Sequence, residues 1–176
     1  MKKKAPVFHS VKMLTVAAML TAMSVVIGIF CKNFLNFGNG LFRITFENLP
    51  IILSGFWLGP VIGGMVGIAS DLISYLLSNQ IYPPNLIVTA GACVIGVVSG
   101  LFFRLPIKNI NLRIVCSAGA AHLIGSVVIK SIGLYQFYGI AVLWRIPVYF
   151  VVATLEILLL CILFKRKSFS NLIGKI

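Results

Sequence analysis

Apolar residues run along this chain in long blocks, and the polar positions fall in short clusters between them. Val11 to Phe30 is the first block, about 20 residues, which as a helix measures roughly 30 Å and matches a hydrocarbon core. Later blocks repeat the pattern. Together they predict helices over about 11–31, 46–58, 60–78, 85–103, 113–132 and 141–164. The expectation is an all-α membrane protein with six transmembrane helices, forming a single integral membrane domain over residues 1–176.

The breaks carry turn chemistry. Pro50 opens Ile51 to Leu58 at a first-turn position, where a missing N–H costs least, and Gly59-Pro60 ends that run. Asn33 to Asn48 reads as a loop with an Asn39-Gly40 turn, and Leu41 to Phe46 alternates enough for a short extended piece. Ser78 to Pro84 carries a double proline that excludes helix. Gly133 to Gly139, GLYQFYG, reads as an aromatic connection at a membrane interface.

Small residues recur at helical spacing inside the blocks. Gly55, Gly59, Gly63 and Gly67 lie four apart, as do Gly96 and Gly100, a spacing that lets helix backbones approach closely in lipid. Ala18 and Ala22 form a further small-xxx-small pair on the first helix. Spacing alone leaves that pair open between packing within the chain and contact with another helix.

Composition sharpens the class. The chain is 60% hydrophobic, only 10% charged, and has a mean hydropathy of +1.07, which excludes an ordinary soluble domain. A net charge of +12 could suggest nucleic acid, but the bases cluster between apolar runs without a base-reading motif. Membrane topology accounts for them better. With the N-terminus inside, 11 of the 15 Lys and Arg fall on the cytoplasmic side, so both termini are expected in the cytoplasm. The first block is long enough to span and lacks a clear cleavage site, so it is read as retained.

Four bases disobey that bias: Lys32, Arg43, Lys130 and Arg145 gather near the outer ends of helices one, two, five and six. Phe42, Phe46, Tyr82, Tyr135, Tyr138, Trp144 and Tyr149 lie around them. Aromatic faces with Arg or Lys suit a ligand that joins a flat heteroaromatic ring to a carboxylate. The alternative is interface aromatics with snorkelling bases. Only three acidic residues occur, Glu47, Asp71 and Glu156, and the last two fall inside apolar runs where a carboxylate needs a cavity or a partner. His122 stands alone in mid-helix, with no second ligand at metal spacing, and is read as structural. Cys31, Cys93, Cys116 and Cys161 are scattered without a C-x-x-C pair and are read as packing residues. No P-loop is present, and no nucleophile has an adjacent base, so binding is expected rather than catalysis, with no cofactor and no metal.

The chain resembles the small six-helix substrate-binding S components of energy-coupling factor (ECF) vitamin transporters, and is most like the folate-specific ones. Arg43-Ile44-Thr45-Phe46, Leu49 to Gly55, Gly59-Pro60 and Gly63 to Asp71 carry the resemblance. Tyr82-Pro83-Pro84, Gly96 to Gly100 and Trp144-Arg145-Ile146-Pro147 add to it. It implies a multi-pass protein of the plasma membrane that captures folate or a related vitamin outside and delivers it inward. Its partners would be a transmembrane coupling protein, docked through Ala18 and Ala22, and two ATPase subunits. The implied pocket opens outward, gated by 33–48 and 78–84. The ligand-binding set expected is Arg43, Phe46, Glu47, Asp71, Tyr82, Asn85, Lys130, Trp144 and Arg145. Arg43, Lys130 and Arg145 would grip glutamate carboxylates, Asp71 would take the amino-pterin edge, and Phe46, Tyr82 and Trp144 would stack. The rivals are an S component for pantothenate, riboflavin or a queuosine precursor, and a non-transport membrane scaffold.

Overall fold

The computed structural model describes residues 11–37, 42–78 and 84–166, with the side chains of 36, 37, 42 and 43 excepted. Among the described residues seven α-helices follow in order: α1 Val11–Phe34, α2 Asn48–Leu58, α3 Pro60–Leu77, α4 Leu86–Phe103, α5 Ile110–Ala121, α6 Ser131–Tyr138 and α7 Arg145–Lys165. A π-helical stretch, His122–Lys130, joins α5 to α6, and a 3-10 stretch, Gly139–Trp144, joins α6 to α7. Two short strands, β1 Asn36–Phe37 and β2 Phe42–Arg43, pair antiparallel, Asn36 opposite Arg43, so two residues of the alternating stretch after helix one are extended.

Among the described residues four helical segments are long and apolar enough to cross a membrane: Val11–Phe34, Pro60–Leu77, Leu86–Phe103 and Ile110–Lys165. The shorter α2 is apolar as well. The six spans expected from the pattern therefore do not map one for one onto helical segments. The last segment must fold back on itself, because His122 and Glu156 meet at 2.8 Å although a straight helix would hold them about 50 Å apart. Gly139, at φ 55°, provides the reversal.

Several boundaries differ from the sequence reading. The first helix continues to Phe34, and the second starts at Asn48 rather than 46, so Pro50 still lies within its first turn. The fifth starts at Ile110, after an extended Asn109, rather than at 113. The expected aromatic connection 133–139 is helical as far as Tyr138, since a lone glycine does not break a helix. Gly133 is there for packing: a Cβ on it would lie 3.1 Å from Ile87 Cβ and Val88 Cγ2 of α4.

The glycine spacings have the expected consequence. A Cβ on Gly63 would stand 2.7 Å from the Gly96 carbonyl and 2.8 Å from Gly55 Cα, and one on Gly100 would lie 2.6 Å from Pro60 N. α2, α3 and α4 thus touch backbone to backbone. Gly59, at φ 93°, turns the chain between α2 and α3, with Pro60 opening α3. Ile52 and Ile95 are fully buried in this wedge. At the far end Phe56 stacks on Phe103 at 4.2 Å, and Phe164 meets both rings edge-on at 5.9 Å, tying α7 to the wedge.

Candidate ligand-binding site

The N-terminus of α4 and the C-terminal half of α3 form one wall of an open cleft. Asp71 and Tyr75 project from α3, one turn apart. Thr89 of α4 donates to Asp71 Oδ2 at 2.6 Å, so the carboxylate faces the cleft with one oxygen steadied. Asn85 caps α4: its Oδ1 accepts from the Ile87 N–H at 2.9 Å and its Nδ2 donates to the Gly133 carbonyl at 2.6 Å. Its amide thereby fixes α4 to α6 while its side chain lines the cleft.

The opposite wall comes from the π-helical stretch, α6 and α7. Lys130 is buried, yet it borders the cleft, and its Nζ donates to Asn48 Oδ1 at 3.0 Å and lies 3.5 Å from Glu47 Oε1. Placing an ammonium there needs those partners. Lys130 is not near a helix end as the sequence reading expected, because the helical rod continues through α6 for two more turns. Arg145 is buried at the start of α7, its guanidinium 4.9 Å from the centre of the Tyr138 ring. Lys32, from the last turn of α1, donates to Ser78 Oγ at 3.1 Å and to the Ser74 carbonyl at 3.4 Å.

The cleft therefore gathers Lys32, Lys130 and Arg145 with Glu47, Asp71 and Asn85. Phe46 is half-buried and Trp144 is 68% exposed, and neither lines it. The backbone of Arg43 sits in β2, while its side chain, and Tyr82 entirely, lie outside the described residues. Aromatic surface comes instead from Tyr75, Phe137, Tyr138 and Tyr149, and further polar groups from Thr45, Asn48 and Thr89. Tyr75, Phe137, Thr45, Asn48 and Thr89 were not anticipated. Two of them carried a signal: Tyr75 is one helical turn after Asp71, and Asn48 follows Glu47 directly.

Glu156 does not line the cleft. It is fully buried, its Oε2 lies 2.8 Å from His122 Nε2, and Ser126 Oγ sits 3.4 Å from the other ring nitrogen. This pairing ties α7 to the π-helical stretch. Ala18 and Ala22, in contrast, are exposed and line an apolar groove between α1 and α3 together with Ile62, Met65 and Ala69. Of the cysteines, Cys31 is buried, Cys93 and Cys161 are half-buried, and Cys116 is exposed, so packing inside the fold does not account for all four.

A family model described as "ECF transporter, substrate-specific component" matches residues 12–164. The chain is 29% identical to the folate transporter FolT of Clostridium novyi (strain NT) over 97 residues, 53% of this chain and 55% of that relative. The alignment thus spans about half the relative's length. In fold, the chain is similar to a crystal structure of FolT bound with folic acid, at TM-score 0.66 and 19% identity over 85% of this chain and 90% of that one. It is also similar to the S component of a bacterial ECF transporter, at TM-score 0.63 and 20% identity over 89% and 95% of the two chains.

Proposed function

Because the chain belongs to the substrate-specific components of ECF transporters, a transport family and not an enzyme family, we propose that it is a folate-binding S component. The observation that carries this reading is the composition of the cleft. Lys32, Lys130 and Arg145 supply cationic grips for carboxylates, Tyr75, Phe137, Tyr138 and Tyr149 supply planar surface, and Asp71 supplies an acceptor for an exocyclic amine. A pterin joined through a flat ring to glutamate asks for that set. The folate named for the C. novyi relative and for the FolT structure supports the choice of vitamin. Arg43 remains a further candidate grip, and Tyr82 a stacking candidate, on the resemblance of their motifs.

In this reading the chain lies in the plasma membrane as six spans, counting α5 to α6 as one rod and α7 as its return, with both termini cytoplasmic. The clustering of Arg104, Lys108, Arg113, Lys165 and Arg166 at the end of the bundle away from the cleft supports that orientation. The vitamin enters from outside, and transfer inward depends on a transmembrane coupling protein and two ATPase subunits. The exposed Ala18 and Ala22 groove suits the coupling protein, since small residues let a partner helix approach closely.

The test is to purify the chain alone in detergent, read the mass and absorbance spectrum of whatever it carries, and titrate it with folate. A pterin spectrum and tight one-to-one binding are expected. A different bound vitamin would keep the family and replace the ligand, and failure to bind folate would sink the assignment.

A further inference from the structure

The end of the bundle away from the cleft carries a concentration of charge that the transport reading uses only for orientation. α4 leads from Asn85 and Thr89 at the cleft to Phe103 and Arg104 about 27 Å away. There Arg113 reaches back across the α4–α5 turn, its guanidinium 5.3 Å from the centre of the Phe103 ring and its Nη2 donating to the Ile107 carbonyl at 3.1 Å. Its Nε is enclosed and has no hydrogen-bond partner among the described residues. Arg104 and Lys108 are exposed on the same turn. Lys165 and Arg166 follow Phe164, whose ring rests 5.9 Å from that of Phe103.

No acidic side chain of the protein can neutralise this end. The sequence has three Asp and Glu in all: Glu47 and Asp71 line the cleft, and Glu156 is held by His122. Among the described residues these bases face no carboxylate, so an anion from outside can approach them. Topology bias explains the sign of these residues, but it asks nothing of their arrangement. Here one guanidinium is pinned over an aromatic ring, and Leu105, Ile110 and Leu112, its near neighbours in the chain, are exposed, 43%, 42% and 51%. Positive charge bordered by apolar surface matches an anion that carries an apolar tail. A free anion has no use for that surface.

We propose that the α4–α5 turn, through Arg104, Lys108 and Arg113, binds the phosphodiester headgroup of an anionic phospholipid, whose acyl chains lie along Leu105, Ile110 and Leu112. Each base near such a headgroup is worth on the order of fivefold in affinity. Native mass spectrometry of the purified full chain, with dioleoylphosphatidylglycerol or dioleoylphosphatidylcholine added in matched amounts, reads the site directly. Retention of the glycerol lipid in preference to the choline lipid is expected. Arg104→Gln/Lys108→Gln/Arg113→Gln should lower that retention on the order of a hundredfold. Lys108→Gln alone, on an exposed turn, should lower it about fivefold and serves if the triple variant does not fold. Equal retention of the two lipids, or unchanged retention by Lys108→Gln, overturns the proposal. Displacement of the lipid by millimolar inorganic phosphate overturns it too, since the site would then be one for free phosphate.

Discussion

The two halves of the bundle are built on different physics. In the wedge of α2, α3 and α4, glycines bring backbones together, and two of the buried hydroxyls donate within their own helices, Ser70 to the Gly67 carbonyl at 3.0 Å and Ser99 to the Gly96 carbonyl at 3.0 Å. The half from α5 to α7 is joined by ionisable side chains instead, His122 with Glu156 across the fold and Lys130 out to Asn48 and Glu47. It also contains the π-helical and 3-10 stretches, irregularities common where a helix serves a site. Asp71 and Asn85 stand on the close-packed half, Lys130, Tyr138 and Arg145 on the other. A rigid wall faces one whose geometry depends on polar contacts.

The largest expected effect is on the close-packed side. A Cβ on Gly96 would overlap the Gly63 carbonyl and lie 2.8 Å from Gly64 N, backbone atoms that cannot yield without moving α3. Gly96→Leu should cost at least about 3 kcal/mol and leave no monodisperse protein by fluorescence-detected size exclusion. Gly119, on α5, meets nothing within 4 Å, so Gly119→Leu should change stability by about 0.5 kcal/mol or less. Equal behaviour of the two variants would erase the distinction between the halves.

Next in size is the link across the looser half. Glu156→Ala leaves His122 buried without its partner and should destabilise the protein by about 3–5 kcal/mol in thermal unfolding. Replacing both at once, His122→Leu with Glu156→Met, should recover most of that loss, because neither member of the pair is then left buried without the other, although the Ser126 hydroxyl loses its contact with the ring. A double variant as weak as Glu156→Ala would mean that the pair does more than join two helices.

What the sequence made legible divides along the same line. Glycine spacing, Gly59-Pro60 and hydropathy located the wedge, because close approach and chain breaks are local demands written in residue type. Asp71 could be singled out because a carboxylate in an apolar run needs a reason. In the other half Glu156 gave the same notice, but the course of the chain did not: the helix running through GLYQFYG depends on Gly133 fitting against α4, and the π-helical stretch has no residue signature. Lys130 was therefore expected near a helix end as a carboxylate grip, whereas it is buried along the rod and bonded to Asn48, 82 positions away. Tyr75 was within reach, one turn beyond Asp71, but it needed the face of α3 to be known.

Within the cleft the effects should be smaller and confined to ligand. Arg145→Ala and Asp71→Asn each remove one charged hydrogen-bonding group from the wall and should weaken folate about ten- to hundredfold in titration calorimetry. The two should differ in kind. Arg145→Ala should narrow the preference for folate over a pterin that lacks the glutamate, whereas Asp71→Asn should weaken both ligands alike. Equal loss on both ligands from Arg145→Ala would move the carboxylate grip to another base.

The smallest effect separates Trp144, which the sequence reading expected to stack on the ligand, from Tyr149, which it placed only among the surrounding aromatics. Trp144 and Tyr149 sit five positions apart, and both were candidates to flank the ligand. Trp144 is 68% exposed, off the cleft wall, while Tyr149 is half-buried and lines it beside Arg145 and Tyr138. Stacking on a ring contributes about 0.5–1.5 kcal/mol beyond the area it buries. Tyr149→Ala should therefore weaken folate by roughly tenfold, and Trp144→Ala by less than about twofold, with neither changing thermal stability by more than about 1 kcal/mol. If Trp144→Ala proved the more damaging, the start of α7 would have to rotate to bring the indole inward, which would withdraw Arg145 from the cleft. A loss at Trp144 would thus count against the arginine grip as well as against the stacking assignment.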